Sequence, residues 1–386
     1  MGGFSLLIIA AIVVSAMAPA AVAADAAGPV ISGAQTRGGE GGRTITVSNL
    51  KDQGPGSLRA AIEADEPRII RFAVAGVIRL RQPLKIKHSN VTIAGESAPS
   101  PGITLWGAPL RIRANDVIVR HLRIRVGDGP GPSPDDRDGI TILGKQNSNP
   151  ASSNVLIDHC SISWAIDENV SLWFPGIEAV TLRDSIIAEG LDRSLHAKGS
   201  HSMGMLVGTG ARNVLIQGNL FAHNRWRNPV LASGVTALVA NNLIYDAGDQ
   251  AIHLYGGDYG PTLASIVGNV VRTGPSSKGD FDLWSKKGPA PGSRIHRSGN
   301  DAGGTRVFGA GWPTDATPIF DPLVDEPPVQ TGADIRILPV DAVMRSVLEN
   351  AGARPWDRDA TDRRIVGEVT AGGGQIRDTV PAAETP

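Results

Sequence analysis

The sequence predicts an all-β protein, a right-handed parallel β-helix, and three observations point to this fold class. Short apolar segments rich in β-branched residues recur along the chain at intervals of roughly 25 residues, a period typical of solenoids. Each segment is too short to carry the 3.6-residue period of a helical repeat. Asn219, Asn242 and Asn269 occupy the same position in successive segments, so we expect them to stack at one turn and to hydrogen-bond along the stack.

The repeated segments set the architecture. They read NVTIAG, DVIVRHLRI, NVLIDHCSI, AVTLRDSII, NVLIQGNLF, ALVANNLIY and ASIVGNVV, starting at Asn90, Asp116, Asn154, Ala179, Asn213, Ala237 and Ala264. Each repeat of a solenoid buries its apolar face only by stacking on its neighbours. A β-sandwich remains the alternative on period alone, because strands every 8 to 12 residues also occur within the repeats. The aligned asparagines favour the solenoid.

The two ends of the stack need covering, because a solenoid exposes its last coil. GSLRAAIEAD, from Gly56, predicts a short capping helix with Ser57 as its N-cap. DAVMRSVLENAG predicts a second helix that begins at Asp341 and ends at Gly352. We therefore divide the chain into a signal peptide (1–23), a β-helix catalytic domain (24–310) and a C-terminal extension (311–386) that packs on the β-helix.

The amino terminus predicts secretion or export to the periplasm. FSLLIIAAIVVSAMA forms an apolar core, and Ala21-Val22-Ala23 provides the small-residue cleavage site of a signal peptide. An uncleaved membrane anchor is the alternative, since the apolar run is nearly long enough to span a bilayer. After cleavage we expect no membrane association.

The charge and cysteine content of the chain limit the kinds of partner and of stabilisation that we expect. The chain of 386 residues carries 37 Lys and Arg against 38 Asp and Glu, a formal net charge of -1. Without an extended basic face, nucleic-acid binding is not expected. Cys160 is the single cysteine, so the exported protein must be held together by its core rather than by internal disulfides. The sequence leaves the oligomeric state open.

Charge is nevertheless gathered locally, around two longer gaps between repeats. Residues 128–168 are acidic, and residues 190–229 are basic and include the segment HNRWRNP. Insertions in neighbouring coils bring such clusters side by side on one face of a β-helix. Carboxylates suit Ca²⁺, a hard cation that takes six to eight oxygen ligands, and adjacent cations suit a polyanion. The pattern predicts a calcium-containing groove for an acidic polymer.

Several motifs resemble the bacterial pectate lyases of polysaccharide lyase family 1. They are NVLIDHCSISWAIDENVSLW, HAKGSHSMGMLVG and NLFAHNRWRNP, with similar segments near both ends of the chain. The resemblance implies a parallel β-helix, Ca²⁺ as cofactor and β-elimination of pectate (polygalacturonate). That reaction removes the proton on C5, next to the uronate carboxylate, and expels the glycosidic oxygen on C4. A metal and nearby cations stabilise the charge that develops on the carboxylate.

The same resemblance implies roles for individual residues. Arg227, in Arg227-Asn228-Pro229, matches the catalytic base. An arginine base is unusual, and crowding by other cations would disfavour its charged form. The substrate-binding candidates are Lys198, Arg225, His196 and His201. The calcium candidates are Asp138, Asp167, Glu168 and Asp136.

Two departures from the family pattern keep other functions open. Ser171 stands where relatives carry an acidic residue, and Ala232 stands where many carry a second arginine. One alternative is a β-helix glycoside hydrolase, which needs an acid–base carboxylate pair such as two of Asp135, Asp136 and Asp138. Another is a solenoid that binds polysaccharide without turnover. We interpret Asp158 and His159 as unpaired, because adjacent strand residues point to opposite faces.

Overall fold

The computed structural model describes residues 28–144, 152–173, 175–286, 288–305, 307–309 and 321–386. The predicted signal peptide lies outside these residues. The chain winds into a parallel β-solenoid, so the predicted fold class is confirmed. Three parallel sheets run its length, with ten strands in sheet A and eight each in sheets B and C within the described ranges.

Within the described ranges, eight coils contribute one strand to each sheet, in the chain order A, B, C, and the first and last strands of sheet A have no counterpart in the other two sheets. Sheet A comprises Arg43–Val47, Arg68–Phe72, Val91–Ala94, Val117–Arg120, Ser152–Asp158, Ile177–Arg183, Arg212–Gln217, Thr236–Ala240, Leu263–Val267 and Arg294–Ser298. Sheet B comprises Gly76–Arg79, Ile103–Trp106, Leu122–Arg125, Ser161–Ser163, Ile186–Ala188, Leu220–Ala222, Leu243–Tyr245 and Val270–Arg272. Sheet C comprises Leu84–Ile86, Leu110–Ile112, Ile140–Leu143, Glu168–Trp173, Met203–Val207, Val230–Leu231, His253–Tyr255 and Trp284–Lys286.

The remaining elements are short strand pairs and helices. Val30–Ile31 pairs with Gln330–Thr331, and Phe281–Asp282 pairs with Val307–Gly309. Helices α1, α2 and α3 span Leu58–Glu63, Val340–Asn350 and Ala360–Ala371, and 3₁₀ turns occur at Gly95–Ser97, Pro134–Asp136 and Ala382–Glu384. No helix in the described ranges is long and apolar enough to cross a bilayer.

The core is a set of in-register apolar rows inside the solenoid. In sheet A, Val91, Val117, Val155 and Val180 pair one on the next, and each is at most 1% exposed. A shift of one residue would turn every such side chain to the outside, so burial specifies the register. Burial specifies the register of sheet C in the same way, and so decides which residues of sheet C face outward.

The asparagine stack predicted from the sequence is present. The side-chain amide of Asn219 donates to Asn242 Oδ1 (3.0 Å), Asn242 donates to Asn269 Oδ1 (2.9 Å), and Asn269 donates to Asn300 Oδ1 (3.0 Å). Asn219, Asn242 and Asn269 are fully buried, so these bonds satisfy polar groups that would otherwise be costly inside the core. Asn300 extends the stack by one coil beyond the prediction.

The corner between sheets A and B corrects the interpretation of Asp158 and His159. His159 adopts a left-handed conformation with φ of 47°, which breaks the strand alternation at that residue. Its side chain therefore turns towards that of Asp158, and Nδ1 lies 2.6 Å from Asp158 Oδ1. The two residues are partners, and the inference that they face opposite sides was wrong.

Helices cover parts of the solenoid, and the sequence predicted two of the three. Ser57 caps α1 by accepting a hydrogen bond from the backbone of Ala60 (3.2 Å), as expected. Helix α2 begins at Val340 after Pro339, close to the predicted start. Helix α3 was not predicted, although Asp359 caps it by accepting from the backbone of Asp362 (2.8 Å). Apolar residues of α2 and α3 pack on the outer face of sheet B.

The last residues of the chain lie along the same outer face of sheet B and are held there by ion pairs. Glu189, whose side chain is 0% exposed, accepts hydrogen bonds from Arg364 (2.8 and 2.9 Å), Arg377 (2.5 Å) and the indole of Trp164 (2.9 Å). These contacts hold α3 and the segment 372–386, called the C-terminal tail below, against the solenoid. The domain boundaries at 24, 310 and 311 stay predictions.

Candidate active site

A groove of about 790 Å³ lies on the outer face of sheet C. Its floor comes from successive coils, because residues that pair in register across sheet C face the same side. Arg111 pairs with Thr141, and Thr141 pairs with Ser171, so these three side chains form one row along the groove. The segments that precede the strands contribute the charged walls.

Three carboxylates meet on one side of the groove. Oxygens of Asp138, Asp167 and Glu168 all lie within 4.8 Å of one another. Asp138 is 8% exposed, accepts a hydrogen bond from the Thr141 hydroxyl (2.7 Å), and accepts one from the backbone of Glu168 (3.2 Å). Burial and then repulsion from Asp167 raise the pKa of Asp138 to about 7. A neighbouring cation would remove that repulsion.

The second carboxylate of the group, Asp167, is held by histidine. His201 Nε2 lies 2.8 Å from Asp167 Oδ1, and the His201 ring stacks on His196 with centroids 3.7 Å apart. Burial alone would raise the pKa of Asp167, but the hydrogen bond and charge of His201 hold it below its ordinary value. Both predicted histidines therefore lie beside the carboxylate group, and His201 lines the groove.

Arg227 lies in direct contact with this group of carboxylates. Its backbone is left-handed with φ of 61°, and its guanidinium forms an ion pair with the Glu168 carboxylate. Its Nε donates to the Tyr255 hydroxyl (3.3 Å), whose ring lies 5.7 Å from the guanidinium carbon. The side chain is 14% exposed, which leaves one edge open to the groove.

The other predicted residues separate into two places. Lys198 and Asp136 line the groove with Arg227, and Asp136 forms an ion pair with Arg111 (3.2 Å). Arg225 lies in a second cavity, where its Nε donates to Asp249 (2.5 Å) and its Nη1 lies 3.4 Å from Asp192. Arg225 and Arg227, two positions apart in the motif, thus line different cavities, and Arg225 is paired with Asp249 and Asp192 rather than placed beside Arg227.

Sequence reasoning missed several groove residues. Arg111, Trp173 and Tyr255 are among them, and Trp173 is 47% exposed. The signal available was alternation within the sheet C strands, for example Ser171 and Trp173 in ENVSLW. This alternation could not identify groove residues from the sequence, because the sequence does not show which face of the sheet is covered.

The donor set fits a hard divalent cation. Ca²⁺ takes carboxylate oxygens in flexible geometry, and Asp138, Asp167 and Glu168 offer six such oxygens together. Burial and, after it, the charge of Asp167 raise the pKa of Asp138, and a cation bound beside these carboxylates would offset the second of these effects. Ser171 leaves its own position neutral, and Glu168 supplies the third carboxylate instead.

Comparison with known proteins places the chain in a family. No family model matches the sequence. A probable pectate lyase C from Emericella nidulans is 33% identical over 358 residues, which cover 88% of this chain and 74% of the relative. The chain belongs to the pectate lyase family. A probable pectate lyase C from Neosartorya fischeri is 37% identical over 246 residues, which cover 64% of this chain and 53% of the relative. The matched part is thus about half of that longer protein.

Solved structures support the pectate lyase fold of the chain. The major allergen from cedar pollen, jun a 1, matches with a TM-score of 0.58 at 20% identity over 82% of this chain and 90% of that one. A pectate lyase from Bacillus sp. N165 in complex with trigalacturonate matches with a TM-score of 0.56 at 17% identity over 82% and 95%. At these identities the likeness shows the β-helix fold alone.

Proposed function

We propose that this protein is a secreted pectate lyase that cleaves polygalacturonate by calcium-assisted β-elimination, with Arg227 as the base. One observation carries the proposal, since Arg227 and the carboxylates of Asp138, Asp167 and Glu168 share one groove. Pectate is a polyanion, so a groove that combines a cation site with Arg111 and Lys198 has the charges that it needs. Export through the predicted signal peptide, residues 1–23, would bring the protein to its polymer.

In β-elimination, Arg227 and the group of carboxylates have different roles. The guanidine form of Arg227 accepts the C5 proton, and the electrons of the C5–H bond form the C4–C5 double bond. The C4–O bond breaks, and the leaving oxygen takes a proton from solvent. Asp138, Asp167 and Glu168 are the residues that would hold Ca²⁺. When bound there, Ca²⁺ would stabilise the charge developing on the uronate carboxylate.

Binding is the task of the remaining groove residues. Lys198 and Arg111 line the same groove as the carboxylate group and would pair with uronate carboxylates along the polymer. Trp173 offers an exposed ring surface against which a sugar ring can pack. Tyr255 orients the Arg227 guanidinium through its hydroxyl. Arg225, held by Asp249 and Asp192, lies outside this set.

Ultraviolet absorbance tests the activity directly. We expect absorbance to rise when the mature protein is mixed with polygalacturonate and Ca²⁺, because elimination leaves a conjugated double bond. Chelation should abolish the rise, and returning Ca²⁺ should restore it. If reducing sugar appears without the absorbance change, the protein is a hydrolase. Binding without either product would support the non-catalytic alternative.

The raised pKa of Asp138 makes calcium affinity depend on pH. Because its pKa is about 7, the carboxyl binds a proton below that value, and Ca²⁺ must displace it. We expect the apparent affinity to fall by up to about tenfold per pH unit below 7 and to level off above it. Asp167, with its lowered pKa, stays ionised across this range.

Calorimetric titration with Ca²⁺ between pH 5.5 and 8.5 measures this dependence. Asp138→Asn should remove most of the binding, whereas Asp136→Asn, at an exposed position of the same groove, should change it far less. An affinity independent of pH between 6 and 8 would contradict the assignment of Asp138 to the cation site.

A further inference from the structure

A smaller cavity adjoins the groove beside Arg227, and its walls differ in chemistry from those of the groove. Its volume is about 320 Å³, and it shares Trp173, Arg227 and Tyr255 with the groove. The other described residues that line it are uncharged and mostly small or apolar, namely Pro175, Leu206, Gly208, Thr209 and Ala232. We call this space the side cavity. A polymer bound in the groove can place one of its substituents there.

The pairing register of sheet C explains this change in chemistry. Lys85 pairs with Arg111, and Arg111 pairs with Thr141. Thr141 pairs with Ser171, and Ser171 pairs with Leu206. Residues paired in register face the same side of a sheet, so these five side chains form one outward row. Along the solenoid axis, the outer surface of sheet C therefore changes from cationic through polar to apolar.

The side cavity is a poor environment for a free carboxylate. Arg227 is the one charged side chain among the described residues that line it, and its guanidinium already forms an ion pair with Glu168. Its Nε already donates to the Tyr255 hydroxyl (3.3 Å). A carboxylate that leaves water for an apolar cavity needs a cation or hydrogen-bond donors in exchange for its hydration. A neutral substituent does not have this cost.

Ala232 keeps the side cavity both open and apolar. It directly follows the strand Val230–Leu231, and its backbone N–H donates to the Val207 carbonyl (2.9 Å). Its own carbonyl accepts from the Thr262 hydroxyl (3.3 Å), so both backbone groups are held in place. A longer side chain at this position would occupy the cavity, and a cationic one would change the substituent that it accepts.

We infer that the side cavity binds a methyl-esterified galacturonate residue, next to the residue that loses its C5 proton, so that the preferred substrate is partly methyl-esterified pectate. The ester is neutral, and its methyl group buries apolar surface against Leu206, Ala232 and Trp173. Free uronates pair with Lys85 and Arg111 at the cationic end of the row. Leu206 and Ala232 thus determine specificity. This inference rests on the proposed lyase function.

Initial rates on two polymers of matched chain length test the inference. One is polygalacturonate, and the other is the same polymer with a minority of its carboxyl groups methyl-esterified. At saturating Ca²⁺ we expect the wild type to have the higher kcat/KM on the esterified polymer. Mass spectrometry of the products should find the methyl esters enriched at one fixed position relative to the new chain ends.

Ala232→Arg should reverse this preference, because a guanidinium in the side cavity would pair with a free carboxylate and would occupy the space of the methyl group. We expect the ratio of kcat/KM on the esterified polymer to kcat/KM on polygalacturonate to fall by at least about tenfold, a factor that a single methylene in an apolar pocket can supply. Leu206→Asn, which changes polarity more than volume, should lower the ratio as well. Thr46→Arg adds the same charge at an exposed position on sheet A and should leave the ratio unchanged.

The outcomes separate this inference from the lyase assignment. A wild type that prefers polygalacturonate, or a ratio that Ala232→Arg and Leu206→Asn leave unchanged, would overturn the inference and leave the lyase activity standing. No absorbance rise on either polymer would refute the lyase activity instead. Calorimetric affinities for the two polymers would then decide the inference, which requires tighter binding of the esterified polymer and loss of that preference in Ala232→Arg.

Discussion

Replacing Arg227 with alanine is expected to lower kcat on polygalacturonate by about a thousandfold, because general-base groups contribute factors of this order. KM should change little, since Lys198 and Arg111 remain in the groove to bind uronate carboxylates. The measurement is the initial rate of absorbance increase at saturating Ca²⁺. Arg212→Ala, at an exposed position on sheet A, serves as the control and should keep full activity.

Calcium titration of the same variant separates a catalytic role from a structural one. Arg227 forms an ion pair with Glu168, so a loss of activity by itself does not distinguish a damaged cation site from a missing base. Removing the guanidinium leaves the three carboxylates with more negative charge to neutralise. We therefore expect Arg227→Ala to bind Ca²⁺ at least as tightly as the wild type. Weaker binding together with lost activity would assign Arg227 to the cation site instead.

Replacing Glu189 with alanine is expected to destabilise the protein by about 3–5 kcal/mol, the cost of breaking a buried ion pair. The carboxylate is inaccessible and receives hydrogen bonds from Arg364, Arg377 and Trp164. Its removal takes one carboxylate from each guanidinium, leaving both with Glu368, and leaves the buried Trp164 indole without its acceptor. Urea unfolding measures the stability. Limited proteolysis should detect a C-terminal tail that is cleaved more readily than in the wild type.

A second tail contact provides the matched control. Arg193 and Asp378 also tie the tail to the solenoid (3.1 Å), but their side chains are 76% and 44% exposed. Exposed pairs contribute at most about 1 kcal/mol, so Asp378→Asn should have a small effect. Equal effects of the two variants would contradict the assignment of Glu189 as the main anchor.

Acid should weaken the contacts of Glu189 with the C-terminal residues over a defined pH range. Burial opposes ionisation of Glu189, but the hydrogen bonds and charges of Arg364 and Arg377 lower its pKa from 4.5 to about 2. The folded state therefore gains about 3 kcal/mol from this group above pH 4.5, and loses it as the pH falls from 4.5 towards 2. Glu189→Gln should remove this part of the acid dependence.

The repeats and the aligned asparagines were sufficient to predict the solenoid. An in-register stack repeats the same local pattern in every coil, so local sequence carries the global arrangement. The sequence also contained the residues of the groove that the family motif names, among them Arg227 and Asp138. Helix α3 was missed because its stability comes from the surface of sheet B on which it packs.

The sequence by itself determined the class of fold, the family and the chemical types gathered in the groove. Only the tertiary structure decided which of those residues meet. Arg225 and Arg227 are two positions apart yet enter different cavities, and Asp158 and His159 are adjacent yet share one face. The physical reason is the left-handed backbone of Arg227 and of His159, which redirects a side chain against the strand alternation on which sequence reasoning depends.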